Sequence, residues 1–145
     1  MSSERSTREG PVEILLVEDN LADVRLTIEA FREASVSARL RIARNGDEAL
    51  VLLRRGRGEA NLPRPDLILL DLNMPGVDGR TVLAEVKADP ALRDIPVLVL
   101  TTSSADHDKA CAASLGADSY FIKPMALEAF VDLIRVIDRT WIETA

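Results

Sequence analysis

Five residues of complementary chemistry close four short apolar runs. Glu18 and Asp19 follow EILLV, Asp71 follows LILL, Thr101 closes VLVLT, and Lys123 follows SYFI. Three carboxylates brought into one crevice repel one another, and that arrangement is costly unless a cation or protons offset it. A hard divalent cation is the simplest answer. Magnesium takes oxygen ligands, usually one or two carboxylates, and keeps several waters that a phosphate can displace, whereas calcium needs more protein oxygens in a dedicated loop. No such loop is visible in the chain. Lys123 adds a compact positive charge and Thr101 a hydroxyl donor, which together with the metal make a pocket for a tetrahedral dianion. Phosphoryl transfer needs little more than such positioning and neutralisation, and aspartate can act as the covalent acceptor. Asp71 is the natural nucleophile of the set.

These residues can meet only if the runs that carry them are neighbouring strands. Strand candidates are Glu13 to Glu18, Ala38 to Ala43, Leu67 to Asp71, Val97 to Thr101 and Ser119 to Lys123, and most are too apolar to face water on either side. Continuous Val/Ile/Leu runs alternating with helices are what a parallel sheet covered on both faces requires. The predicted fold class is therefore α/β, a doubly wound five-stranded parallel sheet flanked by five helices. With the strand order 2-1-3-4-5, the crevice outside the carboxyl ends of the first and third strands gathers Glu18, Asp19 and Asp71.

The helices carry their own signals. Leu21, Val24, Ile28 and Phe31 fall three or four apart and predict an apolar stripe on the first helix. Asn45, Asp78 and Ser104 can cap the second, third and fourth. The second runs to about Arg55, Pro90 lies just past the third, and the fourth stops at Gly116. The fifth extends from about Leu127 to about Trp141, with Leu127, Phe130, Ile134, Ile137 and Trp141 as its core stripe. Leu133 and Val136 widen the apolar surface at one edge, so a homodimer through Leu133, Val136 and Ile137 is expected.

The 145 residues, 47% hydrophobic and 29% charged, suit one globular domain, read as residues 11–142 after a disordered polar tail at 1–10, with no effector domain. A net charge of -6 argues against a nucleic-acid surface and against anionic membranes. MSSERSTREG lacks the apolar segment of a secretory signal, and no apolar run reaches the ~18 residues of a membrane span, so a cytoplasmic location is expected. One cysteine, Cys111, and one histidine, His107, fall short of a disulfide or a Cys/His zinc site.

Each site residue also has a plainer reading. Asp19 could cap the first helix, Lys123 could be an ordinary surface lysine, Thr101 a strand-end residue, and Tyr120 a half-buried strand aromatic. The arginine-rich stretch Arg54 to Pro65 reads as a solvated connector, and His107, between Asp106 and Asp108, as a solvated residue.

From Val12 to Trp141 the chain resembles the receiver domains of two-component response regulators, on the motifs LLVEDN, LLDLNMPGVDG, LTTS and YFIKP. The resemblance implies a flavodoxin-like receiver fold of the chemotaxis type, with Asp71 as phosphoacceptor. It implies that Asp19, Asp71 and the backbone carbonyl of Asn73 bind Mg2+ with help from Glu18, and that Thr101 and Lys123 contact the phosphoryl oxygens. Asn73, Thr102 and Ser103 would modulate the site, Thr102 standing where receivers commonly carry Ala or Gly. Tyr120 matches the switch aromatic, which turns inward as Thr101 is drawn to the phosphoryl group, changing the surface of the fourth helix, fifth strand and fifth helix. The Lys123-Pro124 bond is expected to be cis. The chain is also similar to the small stand-alone regulators paired with bacterial phytochromes, on EDN followed by Asp23, the long loop before the third strand, Thr101-Thr102-Ser103 and Trp141. A sensor histidine kinase of that type is the implied partner. The resemblance makes the chain a switch rather than a turnover enzyme, although slow autodephosphorylation is expected.

Two other classes fit the residues less well. A haloacid-dehalogenase-like hydrolase places a second Asp two residues after its nucleophile, where Asn73 here cannot donate a proton. A receiver-like module independent of phosphorylation would be favoured if Asp71 or Lys123 were missing, and both are present. EDNLAD after the first strand is acidic and not glycine-rich, which disfavours nucleotide binding.

Overall fold

In the computed structural model the described residues are 10–56, 63–72, 74 and 78–142. Residues 1–9 of the expected tail, residues 57–62 of the long connector and Asn73 lie outside them. The elements alternate as β1 (Val12–Val17), α1 (Leu21–Glu33), β2 (Ala38–Ala43), α2 (Gly46–Gly56), β3 (Leu67–Leu70), α3 (Gly79–Ala88), β4 (Val97–Thr101), α4 (Asp106–Ser114), β5 (Ser119–Ile122) and α5 (Leu127–Ile137). A π-helical turn, Asp138–Ile142, continues α5. All strands are parallel in the order β2-β1-β3-β4-β5.

Successive strand side chains point to opposite faces, so each central strand feeds two cores. Leu15, Val17, Ile68, Leu70, Val97 and Val99 pack with α2, α3 and α4, while Ile14, Leu16, Leu67, Leu69, Leu98 and Leu100 pack with α1 and α5. This is why β1, β3 and β4 read as unbroken aliphatic runs. The edge strands β2 and β5 are less enclosed. Full burial of such a side chain contributes about 1.5–3 kcal/mol.

Local signals position the helices with two corrections. Asn45 caps α2, accepting from the Glu48 amide at 2.8 Å, and Asp78 caps α3, accepting from Thr81 at 3.2 Å. Ser104 does not cap α4. The helix starts at Asp106, and the Ser103 hydroxyl accepts from the Ala105 amide at 3.3 Å instead. On α1 the buried side chains are Val24, Thr27, Ala30 and Phe31, while Leu21 and Ile28 are exposed. The helix presents the 24-27-31 line to the sheet and α5, which turns Leu21 and Ile28 onto its flanks. Arg54, where the expected second helix and the connector overlap, lies within α2 and pairs with Glu85 on α3 at 2.7 Å.

One glycine holds the carboxyl edge together. The Gly79 amide donates to the Leu72 carbonyl at 3.2 Å, bringing the start of α3 against the end of β3. A Cβ at Gly79 would stand 2.2 Å from the Asp71 carbonyl oxygen and 2.6 Å from the Leu72 Cα. Those atoms are backbone and cannot rotate away. Gly79→Ala is expected to destabilise the fold by about 2–3 kcal/mol, the scale of overpacking against a rigid wall. A urea midpoint equal to wild type would contradict this.

Candidate functional site

Backbone pairing carries the chain into the site on four strands. The Glu18 amide donates to the Ala43 carbonyl at 2.9 Å, Asp71 to Val17 at 3.1 Å, and Lys123 to Thr101 at 2.7 Å. Each of the three residues is therefore held as a continuation of its sheet. Among the described residues the buried polar or charged side chains are Glu18, Thr27, Asp71, Thr101 and Lys123. Four of these are the residues singled out by sequence, and all four lie at the carboxyl ends of strands.

Glu18, Asp19 and Asp71 each offer a carboxylate oxygen within 4.8 Å of the others. Asp19 is not the helix cap, because Asn20 takes that position and accepts from the Asp23 amide at 3.0 Å. Three converging oxygens suit a hard divalent cation completed by water.

Lys123 balances this charge. Its Nζ donates to Glu18 Oε1 at 2.6 Å and to Asp23 Oδ2 at 2.9 Å, and lies 3.6 Å from Asp71 Oδ2. Burial would lower the lysine, but the hydrogen bonds to Glu18 and Asp23, with the charges of Asp71 and Glu18, raise it to about 12. Lys123 is therefore a permanent cation here. Burial is also the largest influence on Glu18 and lifts its carboxyl from 4.5 to about 7, against the pull of the Lys123 hydrogen bond and the Asn20 amide.

Beside the carboxylates, the loop after β4 forms a second network. The Tyr120 hydroxyl donates to the Ser103 carbonyl at 2.9 Å, and the Ser103 amide donates to Thr101 Oγ1 at 3.4 Å. The Ser103 hydroxyl donates to Asp108 Oδ2 at 2.5 Å, and Arg80 on α3 donates to Asp108 Oδ1 at 2.9 Å. The Ser103 hydroxyl and the Arg80 guanidinium hold the Asp108 carboxyl below the usual range despite burial pulling the other way. Ser103 thus joins Thr101 to Tyr120, and Thr102 beside it is exposed.

Other expectations come out differently. The Lys123-Pro124 bond is not cis: no cis peptide bond occurs among the described residues. The trans form is the one that an X-Pro bond favours by about 0.5–1 kcal/mol. Ile137 cannot serve a dimer surface, since its side chain is wholly buried in the α1/α5 core, while Leu133 is half-buried and Val136 exposed. His107 is exposed in the first turn of α4, and Cys111 is a half-buried free thiol. Three partners escaped the sequence reading as site groups: Asp23, Arg80 and Asp108. An acidic residue in a first helical turn already has a local explanation in the helix dipole, and nothing in the spacing points from Asp23 to a lysine 100 positions away.

The family model of the response regulator receiver domain matches residues 14–135. The chain belongs to the response regulator receiver domain family. Response regulator Rcp1 of Synechocystis sp. is 42% identical over 134 residues, spanning 92% of this chain and 91% of that protein. The solved Mn(2+)-bound form of Rcp1 matches with a TM-score of 0.81 over 93% of this chain and 97% of that one. The phosphorylated cyanobacterial phytochrome response regulator RcpA is 44% identical, with a TM-score of 0.84 over 93% of this chain and 96% of its own. A response regulator in red light signaling of R. palustris is 34% identical, with a TM-score of 0.85 over 92% and 96% of the two chains. Receiver domains bind a divalent metal at an acidic pocket, and Glu18, Asp19 and Asp71 form such a pocket here.

The raised Glu18 carboxyl sets a pH dependence for metal-free protein. The folded chain keeps the Glu18 proton up to about pH 7, whereas the unfolded chain releases it near 4.5. This group's contribution to stability is full below about 4.5 and is lost as pH rises through about 7. Urea unfolding in chelator is expected to show that decline, and Glu18→Gln to flatten it. An equal slope in the variant would refute the assignment.

Proposed function

We propose that this receiver domain takes a phosphoryl group from the histidine of a sensor kinase onto Asp71, with Mg2+ in the acidic pocket, and changes its protein contacts as a result. The observation that carries the reading is the meeting of one buried lysine with the Asp71 carboxylate at 3.6 Å, beside three carboxylates whose oxygens converge within 4.8 Å. A phytochrome-type histidine kinase is the proposed donor, on the similarity to RcpA.

An Asp71 carboxylate oxygen attacks phosphorus, the P–O bond forms as the P–N bond to the kinase histidine breaks, and the released imidazole takes a proton. Magnesium, when bound through Asp19, Asp71 and the Asn73 carbonyl with Glu18 nearby, supplies positive charge to the phosphoryl oxygens. Lys123 adds an ammonium to the same oxygens. Thr101 supplies a hydroxyl donor, and its movement toward the dianion acts on Ser103, whose amide donates to Thr101, and through the Ser103 carbonyl on Tyr120. Such a local charge event biases a two-state element. The rearranged face is that of α4, β5 and α5. Asn73 provides no acid for a leaving group, which suits a switch better than a phosphatase. Thr102 and Ser103 would tune the lifetime of the adduct.

Among the described residues no helix is long and apolar enough to cross a membrane, and we place the protein in the cytoplasm, with neither nucleic acid nor membrane as partner. The dimer surface we propose is the edge of α5 that carries half-buried Leu133 and exposed Val136.

Incubation with a small phosphodonor and Mg2+ is expected to give one acid-stable, base-labile phosphoryl group per chain. Asp71→Asn should give none. Equal labelling of that variant would exclude Asp71 as acceptor. Light scattering is expected to show a dimer that Val136→Glu converts to monomer, and a wild-type monomer with and without a phosphoryl mimic would remove the dimer from the scheme.

A further inference from the structure

An ammonium has three N–H donors and one charge. Around Lys123 stand three carboxylates from three different elements: Glu18 after β1 at 2.6 Å, Asp23 in the first turn of α1 at 2.9 Å, and Asp71 after β3 at 3.6 Å. Glu18 and Asp71 belong to the metal pocket. Asp23 does not: it stands outside the trio of converging oxygens, and its side chain is 28% exposed. Its backbone amide is fixed by the Asn20 cap, which presents the carboxylate to Lys123 from the helix side.

We infer that Asp23 is a positioning residue that competes with the Asp71 phosphoryl group for Lys123 and thereby limits how firmly the phosphoryl state is held. The inference rests on the reading of Asp71 as phosphoacceptor. Lys123 keeps its place without Asp23, because its side chain is 5% exposed and its shortest bond is to Glu18. What Asp23 adds is a negative charge 2.9 Å from the ammonium, closer than Asp71 at 3.6 Å. A dianion on Asp71 must collect a hydrogen bond from this same nitrogen, and it meets a lysine already hydrogen-bonded to Glu18 and Asp23, both nearer than Asp71. Removing the Asp23 charge leaves the lysine in position with more of its field directed at Asp71.

The test uses the full chain with saturating Mg2+ and beryllofluoride as the aspartyl-phosphate mimic, bound fluoride being read by 19F NMR. In parallel, the half-life of the phosphoryl adduct is measured. Asp23→Asn retains an oxygen that can accept from Lys123 but lacks the charge, and is expected to bind the mimic about threefold more tightly, the scale of a partly exposed ion pair, with a longer adduct half-life. Asp23→Glu keeps the charge and is expected to match wild type. Wild-type affinity and half-life in Asp23→Asn would overturn the inference, as would an equal change in both variants, which would mark a helix-packing role. If the wild-type chain bound no beryllofluoride and Asp71→Asn behaved identically, the phosphoacceptor reading would fail first. The inference would then fall with it.

Discussion

The arrangement at the carboxyl edge depends on one buried ion pair, Lys123 with Glu18 at 2.6 Å, between residues 105 positions apart. In the strand order β2-β1-β3-β4-β5, three strand spacings, roughly 14 Å, separate the end of β5 from the end of β1. The lysine side chain crosses this edge above the ends of β4 and β3, and so it passes beside Asp71. Burying two opposite charges is seldom a net source of stability, because desolvation offsets most of their attraction. Their use lies elsewhere: the pair holds a buried cation 3.6 Å from Asp71 Oδ2.

That placement demands a rigid frame. Each central strand is enclosed by helices on both faces, with α1 and α5 on one and α2, α3 and α4 on the other, so a shift at a strand end would disturb packing in two cores. Gly79 locks the same edge from the α3 side, through backbone contact with Asp71 and Leu72. At the opposite edge Lys87 donates to the carbonyls of Arg93 and Ile95 and to Asp118, tying the start of β4 to that of β5. The candidate site thus sits at strand ends and loops on a closely packed frame, with Thr101, Ser103 and Tyr120 joined beside it by hydrogen bonds.

Two hydrogen-bonded networks stand at the carboxyl edge, one around Lys123 and one around Ser103. Lys123 and its carboxylates set the electrostatics, while the Ser103 node, held by Asp108 and Arg80, sets the geometry of the loop after β4.

Much of this was legible in the residue order itself. Unbroken aliphatic runs ending in Glu18-Asp19, Asp71, Thr101 and Lys123 determine both the parallel sheet and the chemistry at its edge, because burial on two faces leaves a strand no place for polar residues except its end. Helix starts at Asn45 and Asp78 were equally local, each a side chain bonding an amide three residues on. Tertiary structure decided what depends on distance in space. It rotated α1 so that Leu21 and Ile28 face outward, withdrew Ile137 into the core, and left Lys123-Pro124 trans. It also brought Asp23 to Lys123 and Arg80 to Asp108, contacts between residues 100 and 28 positions apart. Periodicity and end signals report on a residue's own element. Which charge stands opposite which depends on how elements cross, and that is set only when the layers pack.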